Sequence, residues 1–537
     1  MRRALSTHRG RHSCRLVTPP GHIVTFSLPD SWRKHILLTA LDQMHPAYPN
    51  AMKRYTSALL MAVAIVASAQ APGSHQSVLT SRSRVQGRID SAELARFIDP
   101  LISAQMAKEN IPGAVFLLVQ NGRVLYQRGY GFANLSRRQP VNPETTIWRI
   151  GSISKVFTAT AVVQLADRGR FRLTDDVNQY LTRFKVPATF PEPVRFEHLL
   201  THTAGFDEIR PGTRAETAAG LLPLGDFLAN KLIRLRPPGR TISYSTYGIT
   251  LGGHLVEQVS GMDFETYLAR NIWAPLGMTR TNIAVPDSLR SDLAQGYEYD
   301  AGANKLADWE WYHTTPASSI NATAADMGRF IIAHLQDGRY GRTRIMSESA
   351  ARDMHRQHVT SHPKLAGFTY GFYEAFTNGE RLLQHGGNVE GFSAQLTLIP
   401  TRGIGFFIAS QHEPARLRDV VQVALLNHYF PAATKLETSP VPIAGYRERA
   451  PHFAGTYELN QFCHSCGPDR REYPRIEVKA NPDGTISITG NPEPFVEVEP
   501  LFFQRVRGTG GAAFREDASG RVTQLAGDSW LVFERLK

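Results

Sequence analysis

Two sets of strand patterns lie at opposite ends of a long helical stretch, and this constrains the fold more than any other feature. The first, "GAVFLLVQNGRVLYQRGYGFAN" from Gly113, breaks at Asn121-Gly122, a dipeptide suited to the positive φ angles of a tight hairpin. The second, "RLLQHGG" followed by "GFSAQLTLIPTRGIGFFIASQ", begins at Arg381. Residues from about 152 to 360 read as helical and loop-rich. A helical period over residues 92–108 precedes the first set, and "PARLRDVVQVALLNHYF" follows the second. This order predicts an α+β protein, an antiparallel sheet flanked by helices with an all-helical lobe inserted. "PVPIAG" at residues 440–445 reads as a boundary. Beyond it "RIEVKANPDGTISITG" alternates apolar and polar residues and turns at Asp483-Gly484, and short strands recur to "SWLVFERLK". Residues 446–537 are therefore expected to form a small all-β barrel.

The chain has 537 residues and a net charge of +12, long enough for several sizeable cores. Residues 1–54 hold +7 of that charge and the remainder only +5. No run of Lys/Arg with interleaved aromatics appears, so nucleic acid is not an expected partner.

"MKRYTSALLMAVAIVASAQA", from Met52, has a basic start at Lys53 and Arg54, an apolar run over residues 58–67, and small residues at Ala67 and Ala69. That is the layout of a secretory signal peptide, and the run is too short for a stable membrane span. The reading is a signal peptide at 52–71 starting from Met52, an over-extended N-terminus at 1–51, and a linker at 72–91. The protein would then act in the periplasm or outside the cell. The alternative is an exposed apolar helix of a longer chain. Cys463 and Cys466 form "CHSC", read as a local disulfide in an exported protein. No second ligand pair supports zinc, and neither a metal nor a cofactor is expected.

In "WRIGSISKVFTATAVVQLADRGR", Ser152 and Lys155 stand three residues apart at the start of a helix, and i and i+3 share a face. Val156, Phe157, Val162, Val163 and Leu165 anchor the other side, and Gly169 is a stop signal. A desolvated lysine disfavours its ammonium form, and a neutral amine beside a serine can take the hydroxyl proton. By itself an S-x-x-K spacing arises by chance, and a serine at a helix start is more often only an N-cap. Its company changes this. Tyr244-Ser245-Thr246 precede another helix, and His385-Gly386-Gly387 end a predicted strand. Between these lie "LLTHTAG" (199–205), "PLGMTRT" (275–281) and "SSINATAADMGRFIIAHL" (318–335).

With these motifs in this order, residues 94–435 resemble the serine β-lactamase and penicillin-binding-protein superfamily. The resemblance is closest to the class C β-lactamase branch, with its family VIII carboxylesterases and D-aminopeptidases. It implies a hydrolase domain over about residues 92–438. Ser152 would be the acylated nucleophile, Lys155 would take or relay its proton, and Tyr244 would be the general base. His385, Gly386 and Gly387 would match the family's K-T-G strand. The amides of Ser152 and Asn388 would form the oxyanion hole. Two positions depart from the pattern. Thr246 stands where Asn is usual, offering one hydroxyl in place of an amide. His385 stands where Lys is usual, so a permanent cation for a substrate carboxylate is lost. Both tilt the expectation toward an esterase or D-peptidase acting on a small-molecule or peptide substrate, and away from a dedicated penicillinase. The alternatives are a β-lactamase proper, or a non-catalytic penicillin-binding-like protein whose barrel mediates binding. "FAGTYEL" at Phe453 resembles the start of lipocalin-like domains appended to such hydrolases. The oligomeric state is open.

Other eye-catching residues have plainer readings. His202 fits a structural turn, Tyr247 a packing role, and Asp175-Asp176 a capped turn. Trp309, Trp311 and Tyr312, ahead of Ser318, are candidates for lining a cleft.

Overall fold

The computed structural model describes residues 14–18, 22–26 and 88–536, apart from residues 210, 414–415, 433–438 and 467–472. The chain forms two units, Met1–Ala58 and Leu59–Lys537. In the first, strands Cys14–Thr18 and His22–Phe26 pair as an antiparallel ribbon. The expected signal peptide, and the expected linker up to residue 87, lie outside the described residues. All that follows concerns the second unit.

Helix α1 (Ser91–Glu109) starts where Asp90 accepts a hydrogen bond from the Glu93 amide at 2.9 Å and ends at Asn110, held at φ 56°. Its buried residues Leu94, Ile98, Ile102 and Met106 recur every fourth position and make one stripe. Strands β1 (Gly113–Gln120) and β2 (Arg123–Asn134) follow, joined by Asn121 and Gly122 at φ 51° and 75°. The Asn-Gly hairpin is thus where the sequence puts it. Short strand β3 (Gln139–Pro140) completes that edge. The chain then leaves the sheet for helices α2 (Ser154–Asp167), α3 (Thr246–Ser260) and α4 (Ala324–Leu335). It returns as β4 (Val359–Thr360), β5 (Gly367–Phe368), β6 (Tyr373–Thr377), β7 (Glu380–Val389), β8 (Phe392–Ile399) and β9 (Ile404–Gln411), and closes with helix α5 (Leu417–Tyr429).

The nine strands order as β4-β5-β6-β7-β8-β9-β1-β2-β3, with every neighbouring pair antiparallel. First and last segments meet at β9 against β1, from Ile404↔Gln120 to Ser410↔Ala114, so the helical lobe is an insertion. β1 is buried on both faces and its side chains alternate between two cores. Ala114, Phe116 and Leu118 pack with the stripe of α1 and with Leu417, Val421 and Leu425 of α5. Val115, Leu117 and Val119 pack on the other face with α2, α4 and the lobe. The insert is helical in its core. Unlike the all-helical lobe expected, it carries short ribbons, Tyr297–Asp300 with Ala303–Leu306 and Arg214–Ala215 with Trp311–Tyr312.

After helix α6 (Tyr446–Phe453), eight strands form a closed barrel: β10 (Gly455–Leu459), β11 (Arg475–Ala480), β12 (Ile486–Ile488), β13 (Phe495–Glu499), β14 (Phe502–Arg505), β15 (Gly511–Glu516), β16 (Val522–Ala526) and β17 (Val532–Arg535). Closure of β10 on β17 leaves no free edge. Phe453, Tyr457, Val478, Ile486, Phe503 and Phe514 belong to one buried apolar core within it. Phe453 of α6 meets the rings of Phe503 and Phe514, each at 4.8 Å.

Candidate active site

The segment ahead of α2 is pinned before it turns. Trp148–Arg149 pair with Asn321–Ala322. Gly151 then takes φ 52° and opens a 3-10 turn, Gly151–Ile153, that runs into α2. Ser152 therefore sits in this turn, one step before the α-helix proper. Ser154 locks it, donating from Oγ to the Gly151 carbonyl at 2.7 Å and accepting from the Ile320 amide at 3.0 Å. From Thr146 to Leu165 every residue but Ser152 is buried.

Lys155 lies one turn on, only 1% exposed. Its Nζ donates to Ser152 Oγ at 3.0 Å and to the Ala317 carbonyl at 3.0 Å. Burial pushes its pKa from 10.5 down to about 7, against a smaller opposing pull from the negative charge of Glu208. Tyr244 stands beside the pair, its ring centroid 4.9 Å from Lys155 Nζ. Burial drives the phenol well above its ordinary value, so Tyr244 is protonated at rest. Ser245 caps α3 by accepting from the Gly248 amide at 3.1 Å, which fixes where Tyr244 leaves the helix. The Thr246 amide donates to Glu208 Oε2 at 2.8 Å.

On the sheet side β7 brings His385 to Tyr244, ring centroids 6.1 Å apart. His385 is 1% exposed. Burial first, then Lys155, lower its pKa to about 3, so it is neutral. Its Nε2 is buried with no partner among the described residues. Gly386 and Gly387 differ. A Cβ on Gly387 would collide with the Ile150 carbonyl oxygen and lie 3.1 Å from the Ser152 amide nitrogen. A Cβ on Gly386 would instead point to the far side, 3.1 Å from Gln395 Oε1 and 3.2 Å from an Arg418 guanidinium nitrogen. A Cβ on Gly151 would lie 2.9 Å from the Asn388 nitrogen, so the Ser152 turn and β7 meet backbone to backbone. Asn388 turns its side-chain carbonyl to Arg418, which donates at 2.9 Å.

The remaining residues keep their plainer roles. His202 is at φ 56° and its Nδ1 accepts from the Ser245 amide at 3.0 Å; its ring also stacks on Tyr244 at 4.4 Å. Tyr247 donates to the Ile209 carbonyl at 2.7 Å, and Asp176 caps the turn Val177–Gln179. Trp309 covers the Arg149 guanidinium at 4.2 Å, and Tyr312 packs half-buried on the lobe's core. Sequence reasoning missed Glu208, an acid just past "THTAG" with no pattern to flag it. It also missed Trp530 of the barrel, whose ring lies 5.3 Å from Tyr244. Among the described residues no cluster of His, Cys, Asp and Glu is arranged to hold a metal. No described helix is long and apolar enough to cross a membrane.

The site is thus a partly exposed serine and a buried lysine at the start of α2, set between the helical lobe and the sheet. The family model described as Beta-lactamase matches residues 98–427, and the chain belongs to this family of β-lactamase-fold serine hydrolases. Among curated relatives, "Protein flp" of Staphylococcus aureus (strain N315) is 25% identical over 347 residues, 62% of this chain. The chain spans 66% of that relative's length. A "Beta-lactamase" of Pseudomonas fluorescens is 30% identical over 213 residues, 39% of this chain and 56% of its own. In fold, the chain is similar to the octameric penicillin-binding protein homologue from Pyrococcus abyssi, with TM-score 0.54, 24% identity, and coverage of 83% of this chain and 100% of that one. It is also similar to the class C β-lactamase from Rhodobacter sphaeroides, with TM-score 0.52, 21% identity, and coverage of 62% and 98%.

Proposed function

We propose that the protein is an exported serine hydrolase working through an acyl-enzyme at Ser152. The observation that carries this is the pairing of a single accessible serine, in an otherwise buried segment, with a lysine amine 3.0 Å away. An amine with a pKa near 7 is half neutral at physiological pH and can accept the serine proton. As Oγ adds to the substrate carbonyl, its proton passes to Lys155. The carbonyl oxygen becomes an oxyanion at the amides of Ser152 and Asn388. Collapse expels the alcohol or amine, which takes a proton relayed through Lys155 and Tyr244. Water then attacks the ester at Ser152 while its proton passes through the Tyr244 hydroxyl to the neutral Lys155 amine, and Lys155 returns that proton to Ser152 Oγ as the acid departs. The leader read from Met52 supports export.

The preferred substrates are esters and D-amino-acid peptides or amides. A neutral His385 gives no charge to hold a substrate carboxylate. Thr246 would meet the substrate with a hydroxyl where an asparagine would offer an amide, and the Glu208 carboxylate at the Thr246 amide repels anions. Gly387 lets β7 come up against the Ser152 turn, where a side chain would collide with the Ile150 carbonyl. A second reading, a β-lactamase proper, draws on the Pseudomonas fluorescens relative of that name. The non-catalytic reading draws nothing from the barrel, whose core is filled by its own side chains.

The test is a set of initial rates on a chromogenic cephalosporin, a short-chain p-nitrophenyl ester and a D-alanyl anilide, for wild type and Ser152→Ala. Turnover of the ester or anilide above the cephalosporin, abolished in Ser152→Ala, is expected. Cephalosporin turnover above the others would favour the second reading. Equal rates for wild type and variant on every substrate turned over would refute the serine mechanism.

A further inference from the structure

The segment carrying Tyr244 is held from outside the hydrolase fold. Gln524 of the barrel donates to Thr241 Oγ1 at 3.1 Å, and Asn460 Nδ2 donates to the Ile242 carbonyl at 2.8 Å. Ser243 Oγ donates to the Asn460 carbonyl at 3.2 Å. Three successive residues before Tyr244 are thus bonded to the barrel. Arg236, a few residues upstream, makes a bidentate pair with Glu534 of β17, both contacts at 2.6 Å.

Between β16 and β17 the barrel's loop delivers one large side chain to this place. The Trp530 ring lies 5.3 Å from Tyr244, 5.5 Å from Phe368 and 5.6 Å from Tyr373. The loop is anchored two residues earlier, where Asp528 accepts from the Gly511 amide and pairs with Arg505. Trp530 keeps partial exposure, as do Ser152, Tyr244, Thr246, Glu208 and Tyr373. The half-exposed residues around the serine therefore include one from the barrel.

We propose that Trp530 is a specificity-determining residue of the active site, forming the wall of the cleft against which the substrate's leaving group rests. The inference rests on the acyl-enzyme reading. In that reading the departing alcohol or amine must receive a proton from the Lys155–Tyr244 side, so it has to lie next to Tyr244. The residue packed on Tyr244 from the barrel then meets the leaving group and not the acyl group. An indole face offers a flat apolar surface, with stacking and dispersion for an aryl or similarly flat leaving group and nothing for a carboxylate. The barrel thereby completes the site.

The test uses the full chain and compares wild type with Trp530→Ala and Trp530→Phe on two substrate series. One holds the acyl group as acetyl and varies the alcohol from methyl and ethyl to phenyl and naphthyl. The other holds p-nitrophenol and lengthens the acyl chain. Trp530→Ala should lose about 10-fold in kcat/KM for aryl acetates relative to alkyl acetates. Trp530→Phe should keep most of the aryl preference. The acyl-chain profile should not change, nor should deacylation of the acetyl-enzyme, because the leaving group has gone by then. Equal losses for aryl and alkyl acetates, or an altered acyl-chain profile, would overturn the assignment. Ser152→Ala run alongside separates the two failures: turnover that survives there refutes the acyl-enzyme itself, whereas Ser152-dependent turnover blind to Trp530 refutes only this inference.

Discussion

Lys155 Nζ lies 3.0 Å from Ser152 Oγ in a setting that leaves the lysine only 1% exposed. The contact ties proton acceptance to burial, because burial is what brings the amine's pKa down to about 7. In the proposed mechanism the active form is the neutral amine, so kcat/KM should rise with pH through an inflection near 7 and fall off below it. His385, neutral with a pKa of about 3, adds no second step there. Lys155→Met should cut kcat/KM by about 10²–10⁴-fold and abolish the inflection. A wild-type profile flat from pH 5 to 8 would contradict the assignment.

The same burial gives a signed prediction for stability. The folded pKa of about 7 lies below the ordinary 10.5, so unfolding takes up a proton between those values. Lys155 therefore destabilises the fold most at and below pH 7, and the cost fades toward pH 10.5. Lys155→Met should raise Tm, by more at pH 6 than at pH 10. Thermal scans at the two pH values check this, and a gain that grew with pH would reverse the sign.

Tyr244 enters the resting site protonated, because burial raises its phenol and the amine of Lys155 is the easier base. Tyr244→Phe should lower kcat by about 10²–10³-fold, within the range for lost proton transfer, and leave the inflection near pH 7 where it is. A shift of that inflection would mean that Tyr244, and not Lys155, titrates.

The adjacent glycines should respond unequally to alanine. At Gly387 the new methyl meets the Ile150 carbonyl and crowds the Ser152 amide, both backbone and unable to yield. Gly387→Ala should displace the Ser152 turn from β7 and remove nearly all activity. At Gly386 the methyl meets the ends of Gln395 and Arg418 at 3.1 and 3.2 Å, which can swing away. Gly386→Ala should keep activity within about 10-fold of wild type, a difference near 1.4 kcal/mol. Equal losses at the two positions would show that the approach of strand to turn is not what the second glycine serves.

What the sequence revealed follows the range of the forces involved. Asn121-Gly122 and the apolar run of β1 are local, and they predicted the two strands and their hairpin. Ser152 and Lys155 are three apart, a spacing that allowed their contact, but it took the company of Tyr244 and His385-Gly386-Gly387 to single the pair out. The edge strands β4 and β5, two residues each, have no period to detect. The 3-10 turn under Ser152 depends on Ser154 reaching the Ile320 amide, a partner no local pattern names. Trp530, Asn460 and Glu208 matter through contacts across long sequence separations. The separate reading of barrel and hydrolase hid the residues that join them.

Cys463 and Cys466 are joined in a disulfide, as the "CHSC" spacing led us to expect for an exported chain. The loop they close sits on Asp207, which is 1% exposed. Asp207 accepts from the His464 amide at 2.8 Å, the Ser465 amide at 2.9 Å and Ser465 Oγ at 2.6 Å. Asp207 adjoins Glu208, which accepts from the Thr246 amide, so the loop braces the far side of the segment that holds Tyr244. For a loop this short, chain entropy gives the disulfide about 2 kcal/mol. Replacing both cysteines by serine should lower stability by about that amount. Asp207→Ala should cost about 3 kcal/mol, because it strands these three donors and the Glu208 amide, which also donates to Asp207 at 3.1 Å. Both changes should lower kcat as well, since the brace behind Tyr244 loosens. Dithiothreitol should bring the wild-type Tm down to that of the serine variant and leave the variant unmoved. A wild-type Tm insensitive to reductant, with the disulfide shown by mass to have opened, would mean that the hydrogen bonds to Asp207 hold the loop unaided.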